Sequence, residues 1–141
     1  MALPVAFFCV AILLFGAGFH FYWGLGGRVG YEASIPRRQN GERLFSPPNW
    51  GAHLVGVVLV ISCWLVLAFI QFISSPMPHS WVHFLVTCMA VGFIVRALWA
   101  SPYGGLFKSV RNSEFARYDT VLYSPLFLIL GAGLLYALHQ T

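Results

Sequence analysis

The chain has 141 residues, of which 59% are hydrophobic and 9% charged, with a formal net charge of +4. Soluble domains carry roughly a quarter charged residues, so this balance excludes an ordinary water-soluble domain and points to a membrane protein. The positive balance does not point to nucleic acid, because basic residues beside a bilayer set orientation and attract anionic headgroups.

In chain order, Met1 to Gly27, Leu44 to Val95 and Thr120 to Thr141 contain no Asp, Glu, Lys or Arg. Each run is long enough to cross a bilayer, which takes about 20 residues of helix. The first predicts a helix near residues 3–23. It lacks the basic leading region of a secretory signal and is too long for a typical signal core, so it is expected to be retained. The second run is too long for one span, and Ser74-Ser75-Pro76-Met77-Pro78 breaks it with a turn signal. Helices are therefore expected near 51–73 and 80–100, and a fourth near 120–139. Continuous apolar runs exclude the alternating pattern of barrel strands. The expected fold class is all-α, a four-transmembrane-helix bundle running up-down-up-down. It forms a single integral membrane domain over residues 1–141, with long loops near 24–50 and 101–119.

Arg28, Arg37, Arg38 and Arg43 fall in the first long loop and Lys108, Arg111 and Arg117 in the second, seven of the eight basic residues. In an up-down-up-down bundle these loops share one face. The positive-inside rule then places them in the cytoplasm and both termini outside. Cys9, Cys63 and Cys88 fall in three different spans with no C-x-x-C spacing. They are expected to be small buried apolar residues rather than a disulfide framework or a metal site. The tripeptide Gly-Ala-Gly occurs at Gly16 to Gly18 and at Gly131 to Gly133, where small residues let helices approach closely.

Depth sorts the ionisable residues. His20, His53, Arg96 and Asp119 each lie within about one turn of the cytoplasmic end of their helix, so they form one polar layer. Helical spacing adds Trp23 three residues after His20, Trp99 three after Arg96 and Tyr123 four after Asp119. An arginine inside a span costs roughly 2.5 to 3.5 kcal/mol at the bilayer centre. Arg96 therefore either pairs with Asp119, with water or Tyr123 completing the hydrogen bonding, or extends its head to the headgroups. Asp119 reads equally as a helix cap. Pro125 opens a further alternative in which Ser124 is the cap, leaving about 15 residues and roughly 22 Å of regular helix. Asp119 to Tyr123 would then be a kinked turn or irregular backbone.

His20, flanked by Phe19, Tyr22 and Trp23, belongs either to an aromatic belt or to a group that moves protons for a bound ligand. Gly24, Gly26, Gly27 and Gly30 permit tight turning of the chain but do not form a phosphate-binding G-x-G-x-x-G after a strand. On the opposite face His79 and His83 stand one turn apart, and His139 ends the fourth helix. These three are weak metal candidates with no Asp, Glu or Cys placed to complete a site, so no metal and no cofactor is expected.

The blocks HFYWGLGG (His20 to Gly27), with SIP at Ser34 to Pro36, and ARYDTVLYSPLFLIL (Ala116 to Leu130) resemble a family of small bacterial four-helix membrane proteins catalogued only as a domain of unknown function. The resemblance covers most of the chain. It implies the fold and a location in the bacterial inner membrane, and it brings no activity. It marks His20, Trp23, Gly26, Gly27, Pro36, Asp119, Tyr123, Ser124 and Pro125.

Three functions fit these observations. In the first, His20, Trp23, His53, Arg96, Asp119 and Tyr123 line a site that binds or helps transport an amphiphilic or anionic small molecule. In the second, the protein is a membrane enzyme using His20 or Asp119 as acid or base in an isomerisation or cyclisation of a lipid-phase substrate. In the third, it is a structural accessory subunit of a membrane complex. The expected partners are the lipid bilayer, a small-molecule or lipid ligand and, since four helices are few to enclose a path, further copies in a homo-oligomer.

Overall fold

A computed structural model describes residues 2–99 and 101–140. α1 (Ala2–Gly24) carries Pro4 in its first turn, where a missing N–H costs nothing, and ends where Gly26 takes a φ of 93°. α2 (Asn49–Phe69) begins after the extended Pro48 and stops four residues before the expected Ile73. A turn follows, with Gln71 at a φ of 58°. α3 (His79–Leu98) begins after Pro78. Its expected end, Ala100, lies outside the described residues.

The fourth span departs most from expectation. Glu114–His139 is one helical segment built from α4 (Glu114–Tyr118), a π turn (Asp119–Tyr123) and α5 (Ser124–His139). Its cap is Ser113, whose hydroxyl accepts the Ala116 N–H at 3.0 Å, so neither Asp119 nor Ser124 caps the helix. Ser124 keeps helical angles, φ −65° and ψ −44°, although a proline follows it. In a regular helix the Pro125 ring would collide with the carbonyl four residues back. Here the turn before it is wider, and the Ser124 N–H donates five residues back to the Asp119 carbonyl.

α1 packs most extensively against α2 and α3 against α5, while α1–α5 and α2–α3 contacts close the ring. Neighbours are antiparallel: Phe7 meets Phe72 near one end of the α1–α2 pair, and Phe21 meets His53 near the other. The result is an all-α, up-down-up-down bundle. The two long loops lie at one end, here the loop end, and the short Ser74 to Pro78 turn lies at the other, the turn end. Among the described residues no strand forms; the only sheet-like pairing is an isolated bridge between Arg37 and Arg43.

Cys9, Leu13, Val66, Phe69, Val86 and Leu134 centre the core. Gly131 lets α5 sit so close to α3 that a Cβ there would lie 2.8 Å from the Ala90 carbonyl oxygen. Cys9 and Cys63 are buried as expected, but Cys88 is exposed, because its side of α3 faces away from the other helices. All four long helices are long and apolar enough to cross a membrane, yet only 22–33% of their apolar windows is buried inside the bundle. Large apolar side chains lie outside instead, including Phe15 at 69% and Val121 at 72% exposure.

Candidate functional site

Every Asp, Glu, Lys and Arg falls between Arg28 and Asp119, in the two long loops or at the helix ends beside them. The centre of this region is Asp119, fully buried in the π turn. One carboxylate oxygen accepts from Arg96 Nη2 at 2.9 Å. The other accepts from the Gly105 N–H at 2.8 Å and from Lys108 Nζ at 3.1 Å. Helix α3, the second loop and the π turn are thus tied through one side chain.

Lys108 is equally buried, and the three hydrogens of its ammonium match three acceptors. Besides Asp119, these are the Gly105 carbonyl at 3.1 Å and Thr120 Oγ1 at 2.6 Å. Thr120 in turn donates to the Ala116 carbonyl at 3.1 Å. Ionised groups removed from water are tolerated when paired and fully hydrogen-bonded, which Asp119 and Lys108 are. Two cations on one carboxylate leave the cluster with one surplus positive charge. Arg96 carries the unused capacity: its Nη1 is buried without an acceptor, its Cζ lies 5.1 Å from the centre of the Phe127 ring, and its side chain as a whole is 37% exposed. Ser124 Oγ is likewise buried without a partner.

Gly105 is required twice. Its φ of +86° lies in the left-handed region, and a Cβ there would come within 2.1 Å of the Trp99 carbonyl oxygen. Only a bare backbone turns this tightly while aiming an N–H at Asp119.

The sequence-based site residues do not assemble into one layer. Arg96 and Asp119 come together as a pair. Tyr123 does not join them: its hydroxyl donates to the Ala33 carbonyl at 3.2 Å, fastening the π turn to the 3₁₀ turn Glu32–Ser34 of the first loop. The extra residue in the π turn accounts for this, because hydrogen bonding five residues apart puts Ser124, not Tyr123, beneath Asp119. His20 packs edge-on against Trp23 at 5.1 Å between ring centres, and Trp23 Nε1 donates to the Val29 carbonyl at 2.8 Å. His53 lies 6.0 Å from Phe21. His20 and Trp23 therefore pair with each other, His53 packs separately against Phe21 and Gly24, and among the described residues the donors to Asp119 are Arg96, Gly105 and Lys108. Trp99, expected beside Arg96, is 60% exposed.

Lys108 and Gly105 escape a reading of the sequence. A lysine in a loop is normally solvated, and no periodicity marks it as inward-facing. The available signal was the Gly104-Gly105 pair three residues before it.

A second ion cluster occupies the first loop. Glu32 accepts from Arg37 at 2.8 Å and pairs also with Arg43, with all three side chains partly exposed. At the turn end, His79 stacks on Phe69 at 5.9 Å and His83 meets the same ring edge-on at 5.8 Å. Among the described residues no group of three or more His, Cys, Asp or Glu comes together to hold a metal ion, so His79, His83 and His139 are not assembled into a ligand set.

The family described as "Protein of unknown function (DUF3995)" has a model that matches residues 7–134. No curated protein and no solved structure matches the chain.

Proposed function

The chain belongs to the DUF3995 family, and from that premise we propose that it is an integral membrane protein that binds an anionic small molecule or anionic amphiphile at its loop end. An exterior this apolar is stable in lipid, whereas in water it would be an aggregation surface. The concentration of all eight Lys and Arg residues at one end supports loops in the cytoplasm and termini outside, in a bacterial inner membrane.

One observation carries the binding reading: two cations share the buried Asp119, and Arg96 Nη1 has no acceptor. A phosphate or carboxylate oxygen supplies what that guanidinium lacks, and Arg is suited to such oxyanions through its planar fork of donors. Asp119 is the organiser rather than the reacting group, since both of its oxygens already accept from strong donors. That leaves the acid–base enzyme reading without a base in this cluster.

The saturated bonding of Asp119 and Lys108 favours a second reading, in which the cluster is structural only and the chain is an accessory subunit. Mass spectrometry of small molecules and lipids retained by the protein in mild detergent separates the two. Arg96→Gln leaves Asp119 paired with Lys108 and the Gly105 N–H, so the fold is retained. A specific anionic species present on the wild-type protein and absent from this variant supports binding at Arg96. If no anionic species distinguishes the two proteins, whatever lipid both retain, the structural reading stands in its place.

A further inference from the structure

The block Gly18 to Gly30 has a purpose that the Asp119 cluster does not explain. Gly16, Gly131 and Gly133 each bring a neighbouring side chain or backbone within 3.4 Å of where a Cβ would stand, but Gly18 meets nothing within 4 Å. A helical glycine costs about 1 kcal/mol relative to alanine, and this one packs against no helix. It opens a groove on the outer face of α1, lined by Leu14, Phe15, Gly18, Phe19, Tyr22 and Val29, with a volume of ≈ 530 Å³. From Leu14 to Tyr22 the groove runs about 12 Å along the helix axis, most of the ~15 Å depth of one leaflet.

Its walls are fixed from behind. Phe19 is held edge-on by Phe15 at 5.1 Å and tilted against Trp23 at 5.5 Å. After α1 the chain turns through Gly26 and passes over the Tyr22 ring at Gly27, where a Cβ would lie 2.3 Å from that ring. The turn delivers Val29, whose N–H donates to the Tyr22 hydroxyl at 3.4 Å and whose carbonyl accepts from Trp23 Nε1 at 2.8 Å. Val29 thereby closes the groove at its loop end, and the residue beside it in the chain is Arg28. Arg28 is exposed and, among the described residues, makes no ion pair, while the nearby Glu32 is already engaged by Arg37 and Arg43.

We propose that this face of α1 binds one glycerophospholipid of net negative headgroup charge, with an acyl chain in the Gly18 groove and the phosphate beside Arg28. An apolar slot running into the leaflet with an unpaired cation at its headgroup end matches the two halves of such a lipid. The site rests on the membrane location argued above and is independent of the Arg96 site.

Native mass spectrometry of the detergent-purified protein, titrated with phosphatidylglycerol or with phosphatidylcholine of the same chains, tests it. The wild-type protein is expected to bind one phosphatidylglycerol in preference to phosphatidylcholine. Gly18→Leu fills the groove without meeting a neighbour and is expected to reduce that binding to background. Arg28→Gln is expected to weaken phosphatidylglycerol binding about fivefold and to leave phosphatidylcholine unchanged. Circular dichroism checks that each variant is folded. Should Gly18→Leu not fold, Gly18→Ala and Arg28→Gln still decide, since partial filling must weaken both lipids and charge removal only one. Equal binding by wild type and the Gly18 variants, or no headgroup preference in the wild type, overturns the site. Arg96→Gln is expected to bind phosphatidylglycerol as the wild type does. A protein that stays in the aqueous fraction without detergent would instead refute the membrane location.

Discussion

Two ion clusters, each one carboxylate between two cations, sit at the loop end, one within the first long loop and one joining the second loop to α3 and the π turn. Glu32 lies between Arg37 and Arg43, and Asp119 lies between Arg96 and Lys108. Burial separates them: the Glu32 side chain is 41% exposed, and that of Asp119 is at 0%. Water solvates what the first cluster leaves unpaired, so its geometry is loosely constrained and its contribution small. In the second, Asp119 and Lys108 have no water to rely on. Their carboxylate and ammonium must be met by a glycine N–H, a glycine carbonyl and a threonine hydroxyl held in place, and those requirements fix the second loop to α3 and to the π turn. Equal charge counts therefore have different structural consequences, and burial decides which cluster organises the molecule.

The contrast can be broken at its strongest point first. Asp119→Asn leaves Lys108 buried with no counterion and is expected to cost about 3–5 kcal/mol, read as a fall in thermal unfolding temperature in detergent. A reciprocal exchange, Arg96→Asp with Asp119→Arg, is expected to stay as unstable as the single variant, because the new arginine would face Lys108. Recovery of the melting temperature in that double variant would contradict the placement of Lys108. Gly105→Ala follows, with about 1–3 kcal/mol from the left-handed backbone alone. A Cβ pressed on the Trp99 carbonyl also displaces the Gly105 N–H from Asp119, which adds to that loss, so the Gly105→Ala and Asp119→Asn effects are expected to be less than additive. The smallest effect belongs to the exposed cluster: Glu32→Gln is expected to cost under about 1 kcal/mol, and the difference from wild type should shrink in concentrated salt. The Asp119→Asn effect should persist in the same salt, and that difference in screening sharpens the comparison.

Much of the bundle was legible in the sequence because helices with an apolar exterior write themselves as uninterrupted apolar runs. The Arg96–Asp119 pair was legible for a related reason: two opposite charges at one depth have few other partners. What remained hidden depends on local geometry. Tyr123 follows Asp119 by four residues and would share its face in an α-helix, but the π turn moves it to the Ala33 carbonyl. Pro125 announced a disturbance there without specifying a widened helix. Lys108 was hidden because its burial follows from the path of the second loop over Gly105, and loop paths leave no periodic trace. The open face of Gly18 was hidden as well, since Gly-Ala-Gly reads as helix contact at both of its occurrences and only one of the four glycines departs from it.

The most direct test of the proposed role compares two cations, one from each cluster. Arg96→Gln and Arg43→Gln remove the same charge from the same end of the molecule, and the anionic species retained after purification in mild detergent are counted by mass spectrometry against the wild type. A species lost from Arg96→Gln and kept by Arg43→Gln is the predicted result, because only Arg96 combines a fixed position with an unsatisfied donor. Equal retention by both variants would contradict it and leave the Asp119 cluster as a clamp between helices and loop.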